Sequence, residues 1–572
     1  MQTIQRFRLN ALLCALAVPV CELISRPYAN MSVCDDWPYV LMARNLAATG
    51  HFAYNGWAAP MIGWQLFLGA AMVKVFGASA TAVRMSTLLV AMVLAALLQR
   101  TLVRAHMSES NATMATWAFV LSPLYLVLSV TFMTDIQGLF AVVICLYGCL
   151  RALQAKTPRT ASGWLIFAVA TNAVFGTARQ IAWLGILVMV PCTVWLLRER
   201  RRVVAVGCSA ASAGALFILA GMEWLKRQPY TVPEQVLAGG FSFGHMASQV
   251  ACTFLDAPFL LLPIVALFLP EAVRSRRWVL VLSSLALLGY LFLGTYPSHL
   301  RGDFPLEPMG GDWIGIHGTY EFVLLKGNAP RLLSRGVQVL LTIVSFGGLY
   351  GLIASLTSQP RQTPEEDPAQ VSWKQLGVLL GPFSVAYALL LLPRAGAYHL
   401  TERYLLALLV VALLCMVRYY QENVRAQLPR VGWVLVALMA GYGVVNTHNT
   451  FAFDRARVRL AEELAAAGIA DTAVDSGWEY NLAVELRHSS YINTDRIVTP
   501  ANAYRPAPPL PAGTCTVNAY DYTPHIQPLY GVSFDPGACY GPAPFAPVHY
   551  SLWLESKPGT LYVVYYRPHA PL

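Results

Sequence analysis

Charge is what this 572-residue chain has least of: Asp, Glu, Lys and Arg together make up 12% of it, against 56% hydrophobic residues. No soluble core hides that much apolar surface, so a water-soluble fold is excluded and a polytopic membrane protein is expected. There is no CxxC pair, and the Cys, His, Asp and Glu residues never fall at metal-ligand spacing. No cofactor is therefore expected to be required, while a divalent metal is left open. The net charge of +10 is not accompanied by a basic stripe interleaved with aromatics, which argues against nucleic acid as a partner. Nor does a small-x-small cleavage site follow the first apolar run, so that run reads as an uncleaved anchor. An internal repeat is lacking too.

What is present is a series of membrane-length apolar runs. About thirteen spans are expected, near residues 9–26, 81–103, 112–131, 136–155, 162–178, 180–197, 203–222, 250–270, 278–295, 335–356, 375–393, 404–420 and 431–449. Basic residues concentrate between alternate spans, as at Arg198, Arg200, Arg201 and Arg202, at Arg274, Arg276 and Arg277, and at Arg361. Short basic loops stay on the cytoplasmic side, which puts the N-terminus inside and, with an odd span count, the C-terminus outside a plasma (inner) membrane.

Two regions outside the spans are organised. Residues 27–80 form a long first outside loop in which 37–48 and 61–76 have amphipathic helical spacing. Trp37, Trp57 and Trp64 suit the lipid headgroup layer, so the loop is expected to lie on the outer membrane surface and roof a cavity. After residue 449 the composition changes. Asp454 to Ala467 reads as an amphipathic helix stopped by Gly468, Thr472–Asp475 as a short strand, and the run from Leu561 to Tyr566 as β-rich. The expected organisation is a transmembrane domain over 1–449 and a small extracytoplasmic α/β domain over 450–572. Cys515 and Cys539 fall in that segment, where a disulfide is plausible.

The scarce charges that stand out lie beside spans. Asp35 and Asp36 precede Trp37-Pro38-Tyr39; one carboxylate there is explained by a helix N-cap, and two beside lipid favour chemistry. Asp135 ends Phe132-Met133-Thr134-Asp135 and has two readings, a member of a first turn with Thr134-x-x-Gln137 as a capping box, or a site acid on the same face as Asp35. Arg179 is a lone cation between apolar stretches, either snorkelling or binding phosphate bidentately. His399 and Arg403, four apart, share a helix face at the mouth of a late span, as an interfacial cluster or as ligands of a substrate. Glu22 and Asp256 are the acids inside spans, and they keep a transporter or lipid flippase open as the alternative.

These residues carry a resemblance. Asp35-Asp36-Trp37-Pro38-Tyr39, then Arg44, Thr49-Gly50-His51-Phe52, Phe76-Gly77 before Arg84, Phe132 to Asp135 and the stretch His399 to Tyr404 resemble the GT-C glycosyltransferases of the dolichyl-phosphate-mannose protein mannosyltransferase and lipid A aminoarabinose transferase superfamily. The resemblance is best over residues 30–190. It implies a GT-C fold and an enzyme that takes a sugar from a polyprenyl-phosphate carrier on the outer side of the membrane, with a protein, lipid A, polysaccharide or other lipid as acceptor. Asp35 then matches the family's first-loop Asp, Asp36 the acid after it, which is often Glu, and Asp135 the second-loop Asp. Asp35 would be the catalytic base, with Asp36 and Asp135 beside it. Arg179, His399, Arg403 and Tyr39 would bind the lipid phosphate or the sugar.

Overall fold

The computed structural model describes residues 2–233, 241–274, 324–357, 370–397 and 400–568. The span expected at 278–295, together with Arg276, Arg277, Arg361 and His399, lies outside the described residues.

Among the described residues eight helices are long and apolar enough to cross a membrane: Ala80–Arg104, Asp135–Leu153, Pro158–Ala178, Arg201–Lys226, Gly336–Leu356, Trp373–Ala397, Glu402–Val424 and Val431–Ala466. Helices Glu109–Val120 and Pro123–Ser129 add a ninth candidate bent by 69°. The sequence suggests one straight span there. The bend arises because Ser122 starts a new helix by accepting a hydrogen bond from the Tyr125 N–H, with Pro123 in the first turn where a missing N–H costs nothing.

Two other expected spans are irregular. Residues 180–196 run as a 3-10 turn at Gln180–Trp183, a π turn at Gly185–Met189 and an α-helix at Val190–Leu196. Asn172 holds this break together: its Nδ2 donates to the carbonyls of Ala141 (2.9 Å) and Ala182 (3.0 Å), and its Oδ1 accepts from Ile186 N (3.1 Å). Backbone groups that a broken helix would leave unpaired in an apolar layer are satisfied this way. The expected span at 250–270 is likewise divided, into Phe243–Leu260, Leu262–Val265 and Leu269–Arg274.

Residues 27–80, expected as the first outside loop, contain the two expected helices, Asp36–Thr49 and Gly63–Phe76. Gly50 ends the first in the left-handed region (φ 74°), its N–H bonding the Leu46 carbonyl, a conformation that favours glycine. Trp37 and Trp57 differ from expectation. Instead of facing headgroups they pack with Leu482, Leu486, Ile492 and Trp478, because the carboxyl-terminal domain covers them. Trp64 is anchored through its indole N–H to the Phe175 carbonyl at 2.9 Å.

The last span and the helix expected at 454–467 are one 36-residue helix, Val431–Ala466. At 1.5 Å per residue it is about 54 Å long, against a hydrocarbon core of about 30 Å, so it runs on into the carboxyl-terminal domain. The division expected between 449 and 450 therefore falls inside a continuous helix. Beyond it, among the described residues, four strands, β1 (Val474–Asp475), β2 (Tyr530–Ser533), β3 (Val548–Tyr550) and β4 (Gly559–Tyr565), form a sheet ordered β1-β2-β4-β3. β1 pairs parallel to β2, and β4 runs antiparallel to both β2 and β3, with Val532 opposite Val563 and Val548 opposite Leu561. The sheet buries Val474, Val532 and Val563 against Phe453, Leu460 and Leu464 of the long helix. Cys515 and Cys539 are joined as a disulfide.

Candidate active site

The Asp35 and Asp36 side chains, adjacent in sequence, go to different places. Successive side chains on a helical turn diverge by about 100°, so neighbours do not share a face. Asp36 turns inward and is fully enclosed. Its carboxylate accepts from Arg84 Nε (2.8 Å), from Val33 N (2.9 Å) and from Phe132 N (3.1 Å). Arg84 in turn donates to the carbonyls of Ala29 (3.2 Å) and Met31 (2.6 Å). Asp36 thus ties the turn that carries Asp35 to the turn that carries Asp135, and it holds no position open to a substrate. That differs from its grouping with Asp35 on sequence.

Asp35 occupies the N-cap position of its helix but caps nothing with its side chain. Its Oδ2 lies 3.5 Å from Arg403 NH2, and its Oδ1 accepts from the Trp478 indole at 3.4 Å. Burial raises the Asp35 pKa above the usual carboxylate value; Arg403 and the Trp478 hydrogen bond pull it back, and Asp135 and Asp36 push it up further.

Asp135 makes no capping box either: Thr134 bonds no backbone N–H, and Gln137 reaches the Thr87 hydroxyl at 3.4 Å instead. Its buried carboxylate pairs with Arg179 through Oδ1 and with Arg403 through Oδ2, the latter at 3.4 Å. Arg179 is delivered by the break after the Pro158–Phe175 helix, where its own backbone is extended (φ −151°, ψ 113°). Gly138, one turn after Asp135, makes room for it: a Cβ there would lie 3.1 Å from Arg179 Cβ and 3.2 Å from Cδ.

Arg403 is the centre of the cluster. It contacts both Asp35 and Asp135, and its Nε donates to the Thr401 hydroxyl at 3.2 Å. Tyr404 beside it is ringed by guanidinium groups, with Arg179 at 4.7 Å, Arg394 at 4.8 Å and Arg403 at 5.0 Å from its ring centroid. The Tyr404 hydroxyl accepts from Arg394 at 3.0 Å, and Tyr387 donates to the Tyr404 carbonyl at 3.0 Å. Asp135, Arg179, Tyr387 and Arg403 line one small pocket with Leu139 and Leu406. Tyr39, buried one turn beyond Asp35, feels the charges of Asp35, Arg403 and Asp135, and burial raises its pKa.

Four participants carry little signal in the sequence. Arg394 and Tyr387 sit inside an apolar run, where a charge at 394 was the available signal. Arg84 is marked in the sequence only through the resemblance. Trp478 comes from the carboxyl-terminal domain, where nothing in the local sequence marks it. Of the acids inside spans, Glu22 is bonded to Ser25 Oγ (2.8 Å) and Ser129 Oγ (3.4 Å), which accounts for its burial. Asp256 is buried on the Phe243–Leu260 helix. Among the described residues no group of three His, Cys, Asp or Glu side chains converges as a metal ion requires.

No family model matches the sequence, and no curated protein matches it. Among solved structures the chain is similar to ArnT from Cupriavidus metallidurans in the apo state, at 14% identity over 81% of this chain and 82% of that one, with a TM-score of 0.39. It is similar to the same protein bound to undecaprenyl phosphate, at 16% identity over 81% and 83%, TM-score 0.39. The arabinosyltransferase EmbB from Mycobacterium smegmatis matches at 15% identity over 80% of this chain and 42% of that one, TM-score 0.32.

Proposed function

We propose that this chain is a membrane glycosyltransferase that moves a sugar from a polyprenyl-phosphate carrier to an acceptor hydroxyl on the outer face of the membrane. The observation that carries the reading is Arg403 standing between Asp35 and Asp135, 3.5 Å from one and 3.4 Å from the other, with Arg179 on the far oxygen of Asp135. Buried ion pairs are poor stabilisers, because desolvation cancels much of their attraction. Two carboxylates and three guanidinium groups gathered at the ends of spans fit a site better than a brace.

The chemistry needs a base, cations for the leaving group and a dry pocket. Asp35 takes the proton of the acceptor hydroxyl as its oxygen bonds to the anomeric carbon. The bond from that carbon to the phosphate oxygen breaks, and the carrier phosphate leaves with the electron pair as a stable anion, so no general acid is needed. Arg179 and Arg403, with Arg394 beside Tyr404, hold that anion; guanidinium binds phosphate oxygens in pairs. Asp135 fixes both arginines and orients the sugar. Attack opposite the phosphate inverts the anomeric centre. Asp36, clamped by Arg84, positions the two turns and touches no reacting atom.

The test is transfer by purified protein in proteoliposomes, offered a panel of radiolabelled polyprenyl-phosphate sugars and cell-envelope acceptors. At least one sugar is expected to move, and Asp35→Asn to stop it. Folded protein that moves none of them overturns the reading. Solute uptake that survives Asp35→Asn and Asp135→Asn establishes a transporter in its place.

A further inference from the structure

We propose, resting on the glycosyl-transfer reading, that Arg457 and Glu479 are positioning residues for the base and act on it through Trp478, so that the carboxyl-terminal domain sets the orientation of the Asp35 carboxylate. A carboxylate turns easily about its last bond, and a base is aimed only by what its two oxygens meet. Arg403 lies at Oδ2 (3.5 Å), and the Trp478 indole N–H donates to Oδ1 (3.4 Å) from 443 positions further along the chain. An indole nitrogen only donates, so the contact favours the ionised carboxylate that takes the acceptor's proton.

Trp478 is held from several sides. It opens the Trp478–Ser489 helix, and Arg457 grips the chain on either side of it: NH2 donates to the Ser476 carbonyl, two residues before, and NH1 lies 3.0 Å from Glu479 Oε2, one residue after. Arg457, on the Val431–Ala466 helix, is fully buried and is itself paired with Asp454 at 3.4 Å, one turn earlier. Asn481 closes the turn, its Oδ1 accepting from Ser476 N (3.1 Å) and its Nδ2 donating to Asp475 Oδ1 (2.8 Å). The indole ring packs edge-to-face with Trp57 (5.4 Å) and Tyr522 (6.2 Å). Glu479 also reaches the base turn, since the backbone N–H of Cys34, the residue before Asp35, helps to hold its charge. The helix dipole accounts for an acid in a first turn, and that needs no buried partner. A buried ion pair adds little stability. One that brackets the donor to a base fixes its aim instead, and a misplacement of about 1 Å costs about a hundredfold in rate.

Two readouts are taken on the full chain in lipid nanodiscs: steady-state sugar transfer, and the infrared carboxyl band that Asp35→Asn removes, whose titration midpoint reports on Asp35 without turnover. Glu479→Ala is expected to lower kcat tenfold or more at unchanged acceptor KM, and to move the midpoint to higher pH, because a displaced Trp478 donor no longer favours the ionised acid. In a Trp478→Phe background the same change should do neither, since the residue through which it acts is gone. Glu479→Gln keeps an acceptor for Arg457 and should restore the rate to within a few-fold of wild type. The other groups facing Asp35, namely Arg403, Asp36, Asp135, Cys34 and Tyr39, are the same in all of these variants. Equal loss with and without Trp478 makes Glu479 a structural brace and overturns the relay. A midpoint that moves to lower pH, the sign expected when a nearby negative charge is simply removed, overturns it too. Should Glu479→Ala fail to fold, Glu479→Gln decides by sign: an unmoved midpoint supports positioning, and a lower one overturns it. The relay and the enzyme reading fail separately. Transfer by wild type with kcat and midpoint unmoved in Glu479→Ala overturns the relay only, and a midpoint that rises in a protein transferring from no donor overturns the enzyme only.

Discussion

Arg84 Nε lies 2.8 Å from Asp36 Oδ2, and both side chains are almost completely enclosed. The pair crosses from the Asp36–Thr49 helix to the Ala80–Arg104 helix, and through Phe132 N it also fixes the turn before Asp135. Removing one partner of such a pair leaves an uncompensated buried charge. Asp36→Asn is therefore expected to destabilise the protein by about 3–5 kcal/mol. The double variant Asp36→Asn with Arg84→Gln should recover part of that loss. Thermal unfolding in detergent, followed by fluorescence-detected size exclusion, measures it; a single variant as stable as wild type would show that the pair is no clamp.

Asp35→Asn makes the contrast. Asp35 caps no helix and its carboxylate remains partly accessible, so its replacement should leave the melting temperature nearly unchanged. Loss of a positioned base is expected to lower the transfer rate by about 10²- to 10⁴-fold while binding of the carrier phosphate persists. Side-by-side rate and lipid-binding assays separate the two effects, and a rate within a few-fold of wild type removes Asp35 from the chemistry.

The pH profile follows from the environment of Asp35. A base works deprotonated, so the rate should fall as pH drops through its pKa, which burial places above the ordinary carboxylate value of about 4. The Trp478 indole lowers that pKa by donating to the carboxylate. Trp478→Phe removes the hydrogen bond, favours the protonated acid and should move the acidic limb of the rate profile to higher pH. A limb that stays in place, or moves to lower pH, contradicts Asp35 as the titrating group.

Asp35, Asp135, Arg179 and Arg403 stood out in the sequence for one reason: a charge is rare in this chain, and each lies at the end of an apolar run. That signal locates a charge without saying which way it points, which is why Asp36 could not be told from Asp35. The capping box at Thr134 fits the sequence as well as the site reading does, yet Gln137 reaches Thr87. The length of the last helix was hidden because Asn446, His448 and Asn449 look like the end of a span. In the fold they are interior: His448 Nε2 lies 3.1 Å from Ser551 Oγ, and Asn449 Oδ1 accepts from Trp553 N at 2.9 Å. Those partners lie about a hundred residues away, beyond the reach of local periodicity.

The disulfide is predicted to matter for stability and little for chemistry. Cys515 and Cys539 close a loop of 24-residue separation against the end of β4, where Cys515 N bonds the Tyr566 carbonyl and Tyr540 N the Tyr565 carbonyl. In the chain-entropy model such a loop contributes about 3 kcal/mol. Paired replacement by Ser should lower the melting temperature of the carboxyl-terminal domain, with transfer at low temperature retained; an unchanged melting curve rejects the stabilising role.

Arg403→Lys is the substitution that most sharply tests how the site is built. Arg403 reaches Asp35 and Asp135 with different nitrogens while its Nε holds Thr401, a fork that one ammonium cannot reproduce. The charge is kept, so a site that needs only positive potential should tolerate lysine. A site that needs the fork should not. Hydrogen bonds to charged groups contribute about 1.5–3 kcal/mol each, so Arg403→Lys is expected to weaken binding of a polyprenyl phosphate about ten- to a hundredfold. The rate of sugar transfer should fall further, because Asp35 and Asp135 lose the group that sets their spacing. Binding of tritiated polyprenyl phosphate and single-turnover transfer, measured on the same preparation, read the two effects separately. If lysine supports both at wild-type levels, Arg403 acts as a point charge and the two carboxylates are held by something else.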